Sequence, residues 1–287
     1  MALKIKIGTR ASPLALAQTE IIAREILKSY PDFEIFIIKI KTSGDKNMSP
    51  FSSDPTGIKG MFTLELEKAL LNHEIDFAVH SLKDLPANIN KTLPIVAYSK
   101  REDPRDALVI RDNKLKIIGS SSLRRRLQLE KFFPEKKIFP IRGNINTRLK
   151  KLDGGEFDAL VLAAAGLKRL GLENRISKIF EVDEILPAPG QGILACQGRT
   201  DENYFYLEHV NDSKSKICAI AERSFSRALN AGCNVPVGAF ANIKGETLTL
   251  RGLYIDENTK KFYRGELSGN IHDAATIGEN LAKEIFS

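Results

Sequence analysis

The sequence has no tryptophan, and aromatic residues make up only 7% of its 287 positions. Binders of single-stranded nucleic acid stack bases on aromatic rings, so that class is poorly served despite a net charge of +7. Cysteine is scarce too: three residues, an odd number with no CxxC pair, beside four histidines. This argues against a disulfide framework or a structural zinc site, and points to a reducing cytoplasm. Apolar runs are short. The longest, near Ala159–Leu167, is less than half of the roughly 20 residues that a membrane span needs. The opening segment MALKIKIGTR has no apolar h-region and no small-residue cleavage site, so no signal peptide is expected.

What is present is an ordinary globular mixture, 43% hydrophobic and 28% charged, long enough for two or three domains. The arginine excess sits in short motifs containing glycine and serine, which favours discrete anion pockets over a solvated basic tail. Leu3, Ile5 and Ile7 alternate with Lys4 and Lys6, as in a half-buried strand. Gly8-Thr9-Arg10 then turns, Ser12 is a good N-cap, and Pro13 suits the first helical position. Phe33–Lys41 is apolar on both faces, as in a buried parallel strand. This strand–helix–strand order marks an α/β fold.

The pattern recurs. Phe62–Asn72 reads as a helix, Ile75–Val79 as a strand, and Ile95–Ser99 and Ala107–Arg111 as short strands. Ile117–Gly119 feeds a helix from Ser122, with further strands at Lys137–Arg142 and Asp158–Leu162. Asn47–Gly60, rich in Ser, Pro and Gly, reads as a loop or lid. Leu186–Gly192 (LPAPGQG) is a hinge-like break. A helix near Cys218–Asn230, three strand-like runs and a final helix from about His272 follow it as a small α+β unit.

Several segments carry chemistry. In Gly8-Thr9-Arg10-Ala11-Ser12-Pro13 a strand end and a helix N-terminus make an anion site, where Arg10 can grip a carboxylate in a bidentate fork. A capping Ser12 and a solvated Arg10 explain the same residues equally well. Ser120-Ser121-Ser122-Leu123-Arg124-Arg125-Arg126 repeats the arrangement, and Arg142-Gly143-Asn144 with Arg148 repeats it again. One such helix start is usually a solvated face. Three of them point to a crevice at strand ends for a ligand with several anionic groups.

His80-Ser81-Leu82-Lys83-Asp84-Leu85-Pro86 follows another strand end. An ionised Asp84 among cations can stabilise a developing positive charge or exchange a proton; a surface Lys–Asp turn before a proline is the plainer account. Cys233, in Ala231-Gly232-Cys233-Asn234, lies on a tight helix-to-strand connection and is a candidate nucleophile or attachment point. Cys196 and Cys218 sit in apolar runs, as inert thiols do.

Read together, these segments resemble the porphobilinogen deaminase family. GTRASPLALAQ, KGMFTLELEKALL, DFAVHSLKDLP, REDPRDALV, GSSSLRRRLQL, IRGNINTRLKKLDGGEFDALVLAAAGLKRLG, LPAPGQG and AGCNVPVGA occur in order over nearly the whole chain. The resemblance implies two α/β domains, similar to type II periplasmic binding proteins and facing a cleft, plus a small α+β C-terminal domain. The expected bounds are 1–98 with 193–210, then 99–192, then 211–287. The activity implied is the head-to-tail joining of four porphobilinogens into the linear tetrapyrrole hydroxymethylbilane, with release of ammonia, in heme and tetrapyrrole biosynthesis. A dipyrromethane cofactor, held by a thioether to Cys233, primes it.

By the same resemblance Asp84 is the catalytic residue. Lys83, Ser121, Ser122, Arg124, Arg125, Arg142 and Arg148 match positions that bind cofactor carboxylates. Arg10, Ser12, Gln18, Arg169 and Gln191 match positions near the substrate, and Lys59 and Phe62 match the lid. No metal or nucleotide is required. A monomer is expected, with porphobilinogen and the growing pyrrole chain as partners rather than nucleic acid or membrane. Three departures stand out: Asn146 and Ala231 where glycine is common, and Pro55 where a lysine is common. A receptor for anions would explain the arginines but not the HSLKDLP loop or Cys233. A nucleic-acid binder would explain the charge but not the lack of aromatics.

Overall fold

The computed structural model describes residues 3–41, 57–111, 115–230 and 235–286, with the backbone alone over 57–62. Cys233, Ala231 and Pro55 lie outside the described residues, as do the side chains of Lys59 and Phe62 and the expected lid up to residue 56. The elements begin with β1 (Lys4–Arg10), α1 (Pro13–Ser29), β2 (Glu34–Ile40), α2 (Gly57–Leu71), β3 (Phe77–Ser81) and β4 (Ile95–Tyr98). Then come β5 (Asp106–Ile110), β6 (Ile117–Gly119), α3 (Leu123–Phe132), β7 (Lys137–Phe139), α4 (Ile145–Asp153), β8 (Ala159–Ala163), α5 (Ala164–Arg169) and β9 (Lys178–Ile179). The chain ends with β10 (Leu194–Gln197), α6 (Ser213–Ala228), β11 (Val237–Lys244), β12 (Thr247–Ile255), β13 (Phe262–Asn270) and α7 (Ala274–Glu284).

These form two compact units, Met1–Arg101 with Ile193–Lys216 and Glu102–Gly192 with Ile217–Ser287. In the first, a mixed sheet runs β2-β1-β3-β10-β4, with β1 parallel to β2 and β3, and β10 antiparallel to both of its neighbours. α1 starts where the sequence places it: Ser12 caps it, Pro13 is its first residue, and Ile22, Ala23 and Ile26 are buried against Ile5, Ile7 and Phe77. Each buried Ile of this kind contributes about 1.5–3 kcal/mol. Ile75, Leu66 and Leu70 fill the other face.

Here two expectations change. The second strand is parallel but lies at the sheet edge, and Phe36 on it is 43% exposed. It is apolar on both faces because both are covered, Ile35 facing the α1 side and Ile38 and Ile40 the α2 side. The lid expected to run to Gly60 gives way to helix from Gly57.

The second unit holds a sheet ordered β7-β6-β8-β5-β9 and an antiparallel meander, β11-β12-β13. β6 is parallel to β7 and β8, and β5 is antiparallel to β8. The meander packs α6 and α7 through Phe225, Ile277 and Leu281, around Leu248 and Leu250. This is the α/β architecture with a small C-terminal α+β part that the sequence implies. Among the described residues no helix is long and apolar enough to cross a membrane.

Candidate active site

In the first unit β1 and β3 are parallel neighbours, with Gly8 opposite Ala78, so Arg10 and His80 reach the same end of the sheet. A Cβ on Gly8 would sit 2.2 Å from Ile75 Cδ1, so a side chain there would have to displace the end of Ile75. After β3 the chain makes one 3₁₀ turn, Leu82–Asp84. β10 pins it: Leu194 pairs with Ser81 and Ala195 with His80, and the Leu82 N–H donates to the Ile193 carbonyl at 3.0 Å. Leu82 and Leu85 are buried, Lys83 is half-buried and Asp84 is exposed. Two apolar anchors thus turn the charged pair outward.

Gln18, on α1 and 4% exposed, donates from Nε2 to Ser81 Oγ at 2.8 Å. It ties the helix to the turn. Ser12 Oγ accepts the Ala15 N–H at 3.3 Å, so this oxygen caps α1. His80 is buried, and burial lowers its pKa to about 4. A hydrogen bond to Gln197 and the charge of Asp84 oppose that shift, and Arg10 adds to it.

In the second unit the ends of the parallel strands β6, β7 and β8 carry the other residues. The Ser120 N–H donates to the Phe139 carbonyl at 2.9 Å, which joins the ends of β6 and β7. Ser122 is the N-cap of α3. Asn144 caps α4, accepting the Thr147 N–H at 2.9 Å. Gly143 before it has φ +109°, a left-handed conformation that favours glycine. Arg148 donates from Nε to the Gly143 carbonyl at 2.7 Å and from Nη1 to Ser121 Oγ at 2.8 Å. It fastens the serine loop to the RGN turn, on which Arg142 is exposed. Asn146 lies exposed in the first turn of α4, a helical position that needs no glycine.

Arg124 and Arg125 are 4% and 5% exposed. Both bind Asp106, itself 0% exposed, through Nη2 at 2.8 Å each, on Oδ2 and Oδ1 respectively. Arg124 Nη1 also donates to the Leu186 carbonyl. Gln191 joins the cluster, donating to Asp106 Oδ1 at 2.7 Å and accepting from Arg125 Nη2 at 3.2 Å. Burial alone would raise the Asp106 pKa, but the Arg125 and Arg124 guanidiniums outweigh it and hold the carboxyl well below the usual range. Arg169, at the end of α5, donates to the Gly192 carbonyl at 2.6 Å, and burial pulls its pKa down to about 10 against the charge of Glu102.

The structure therefore gathers Arg10, Gln18, Lys83 and Asp84 in the first unit. In the second it gathers Ser121 with Arg148, and Arg124 and Arg125 with Gln191. Cys233 lies outside the described residues, and of Lys59 and Phe62 only the backbone, on α2, is described. Sequence reasoning missed Asp106, His80 as a buried neutral base, and Glu222. Asp106 had a signal: a charge opening the apolar run Ala-Leu-Val-Ile needs a buried cation, and two neighbouring arginines were at hand.

The model of the porphobilinogen deaminase dipyromethane cofactor binding domain matches residues 5–206, and that of the porphobilinogen deaminase C-terminal domain matches residues 216–287. A porphobilinogen deaminase of Ruminiclostridium josui is 50% identical over 99% of this chain and 98% of its own length. One from Nostoc sp. is 43% identical over 97% of this chain and 90% of its own. Among solved structures, a TRAP periplasmic solute binding protein from Desulfovibrio salexigens overlaps 75% of this chain and 73% of its own at 11% identity and a TM-score of 0.39, too loose a likeness to bear on fold or function. Matched over nearly its full length by both family models and by relatives at this identity, the chain belongs to the porphobilinogen deaminase family.

Proposed function

We propose that this enzyme joins four porphobilinogens head to tail into hydroxymethylbilane, releasing ammonia, with Cys233 carrying a dipyrromethane cofactor. The observation that carries the reading is a dipyromethane-binding family match over residues 5–206, whose arginines sit at strand ends as the chemistry needs. Each porphobilinogen brings an acetate and a propionate, so a growing chain accumulates carboxylates. The donor set fits them. Arg124 and Arg125 each keep a buried Nε with no hydrogen-bond partner among the described residues, and guanidinium groups pair with carboxylates in planar forks. Arg142, Arg148, Ser121 and Ser122 extend the same surface, Lys83 adds a further cation for the cofactor carboxylates, and Arg10, Ser12, Gln18 and Arg169 serve the incoming substrate; Gln191, 0% exposed, acts through Asp106 and Arg125.

The dipyrromethane, when bound, supplies the pyrrole carbon onto which the chain grows. Asp84, exposed on a pinned turn, stabilises the cation left when ammonia departs from a porphobilinogen, then accepts the proton shed by the ring carbon at the new bond. His80 stays neutral near pH 7, its pKa being about 4, and so adds no charge beside Asp84. Lys59 and Phe62, on the first turns of α2, adjoin the lid in this reading. We place the enzyme in the cytoplasm as a monomer of three domains: 1–98 with 193–210, 99–192, and 211–287. Three separate sheets support that division, although the last two share one compact unit.

Intact mass tests the reading. The purified chain is expected to exceed its sequence mass by two porphobilinogens less two ammonias, on the peptide that contains Cys233. Cys233→Ser should lack the adduct, and Cys196→Ser and Cys218→Ser should keep it. An active chain with no adduct, or with one on Cys196 or Cys218, would remove the cofactor assignment.

A further inference from the structure

Asp106 sits at the start of β5 with no exposed surface, and each of its oxygens serves a different arginine. Oδ2 takes Arg124 Nη2 and Oδ1 takes Arg125 Nη2, both at 2.8 Å, while Gln191 Nε2 also donates to Oδ1 at 2.7 Å. Gln191 is held in turn by the Pro104 carbonyl, at 2.6 Å, and is 0% exposed. Carboxylate and amide thus form one platform beneath two neighbouring guanidinium groups. The platform fixes one Nη of each arginine. A further Nη of Arg124 is spent on the Leu186 carbonyl, where Gln128 donates as well, at 3.2 Å.

Two guanidiniums and one carboxylate leave a single positive charge in a water-poor place. Such a surplus is costly unless another anion balances it. The buried Nε atoms of Arg124 and Arg125, without partners among the described residues, are donors still to be used. We infer that Asp106 is a positioning residue, which orients the Arg124–Arg125 pair so that their remaining N–H groups take up one carboxylate of the bound pyrrole chain. The charge count sets the number: one ligand carboxylate completes neutrality, and a second would reverse it. This rests on the proposed dipyrromethane reading and names the part of the chain that prepares the arginines for it.

A purely neutralising Asp106 and a positioning Asp106 give opposite results when the charge is removed. Without the carboxylate the arginines carry two uncompensated charges, so a neutralising role makes an incoming anion more welcome. If the carboxylate aims the arginines, its loss lets them turn away. In Asp106→Asn the amide Nδ2 would also face an arginine N–H, donor against donor.

The experiment is a cycle of four proteins: the parent chain and Asp106→Asn, each with Cys233 and with Cys233→Ser. All are incubated with porphobilinogen, checked for adduct by intact mass and for fold by circular dichroism, then melted in low salt. The gain in melting temperature from loading is the readout, because it cancels any damage common to both forms. The expected gain in Asp106→Asn is less than half that of the parent, or the folded variant fails to load at all. Asp106→Glu, which keeps the charge but moves it by one methylene, is expected to fall between the two. A gain equal to or larger than the parent's overturns the inference, as does failure of both variants to fold, which would leave Asp106 a purely structural role. A parent with no adduct would sink the cofactor reading instead, so the two failures are distinguishable.

Discussion

Asp84 is the exposed member of a turn whose other contacts are fixed. Leu82 and Leu85 are buried, and β10 and Gln18 hold Ser81 and Leu82 from either side. Replacing Asp84 therefore removes charge without removing an anchor. Asp84→Asn is expected to lower turnover of porphobilinogen at least about 100-fold, or roughly 2.7 kcal/mol of transition-state stabilisation, with an unchanged circular dichroism spectrum. Turnover close to that of the parent would take Asp84 out of the mechanism. Its neighbour His80 answers to pH through stability. Unfolded, it takes its proton near pH 6.5; folded, only near pH 4, because it is buried. Between those values the unfolded chain binds a proton that the native chain refuses, so stability falls as pH falls from about 6.5 to 4, by up to about 3 kcal/mol. Urea midpoints at pH 7 and pH 5 measure this, and His80→Gln should flatten the difference. The same pH slope in both proteins would assign it to other groups.

Between elements, the LPAPGQG segment is fastened where the sequence reads as a hinge. Glu222 on α6, 0% exposed, accepts the Gly190 N–H at 2.6 Å and the Ala241 N–H of β11 at 2.7 Å. The Ala239 N–H donates to the Pro187 carbonyl at 2.9 Å. Glu222→Leu leaves two buried N–H groups without this acceptor and should cost about 2–4 kcal/mol in urea unfolding, with Glu222→Gln costing clearly less. Equal stability of the two variants would mean that the latch contributes little. Helix starts were legible in the sequence because a cap is a local device: Ser12 and Asn144 both cap the helices that follow them. The turn that carries Asp84 was legible from its motif. β10 was not, since LACQ is buried throughout and lacks alternation, and its partners on β3 lie more than a hundred residues earlier. Asp106 and Glu222 escaped for a related reason. A buried charge is explained only by partners that the fold brings from elsewhere, although Glu222 did share a helical face with Cys218 and Phe225.

For the whole molecule, the surplus of basic residues becomes a statement about when the protein is stable. The formal charge is +7, and much of it gathers at strand ends, where Arg124, Arg125, Arg142 and Arg148 lie on neighbouring junctions of one sheet. A dipyrromethane made from two porphobilinogens would bring two acetates and two propionates to that sheet. Like charges held close together destabilise the compact state, and a bound polyanion relieves them. The Cys233→Ser apoprotein should therefore melt below the loaded chain. The gap should also depend on salt. The Debye length falls from about 10 Å at 0.1 M to about 3 Å at 1 M, so sodium chloride should raise the apoprotein's melting temperature more than the loaded chain's and narrow the difference. A gap that survives 1 M salt unchanged would mean that packing of the pyrrole rings, not neutralisation of the arginines, supplies the stabilisation. A missing gap would mean that these cations are already balanced within the protein, by carboxylates such as Asp106 and by solvent.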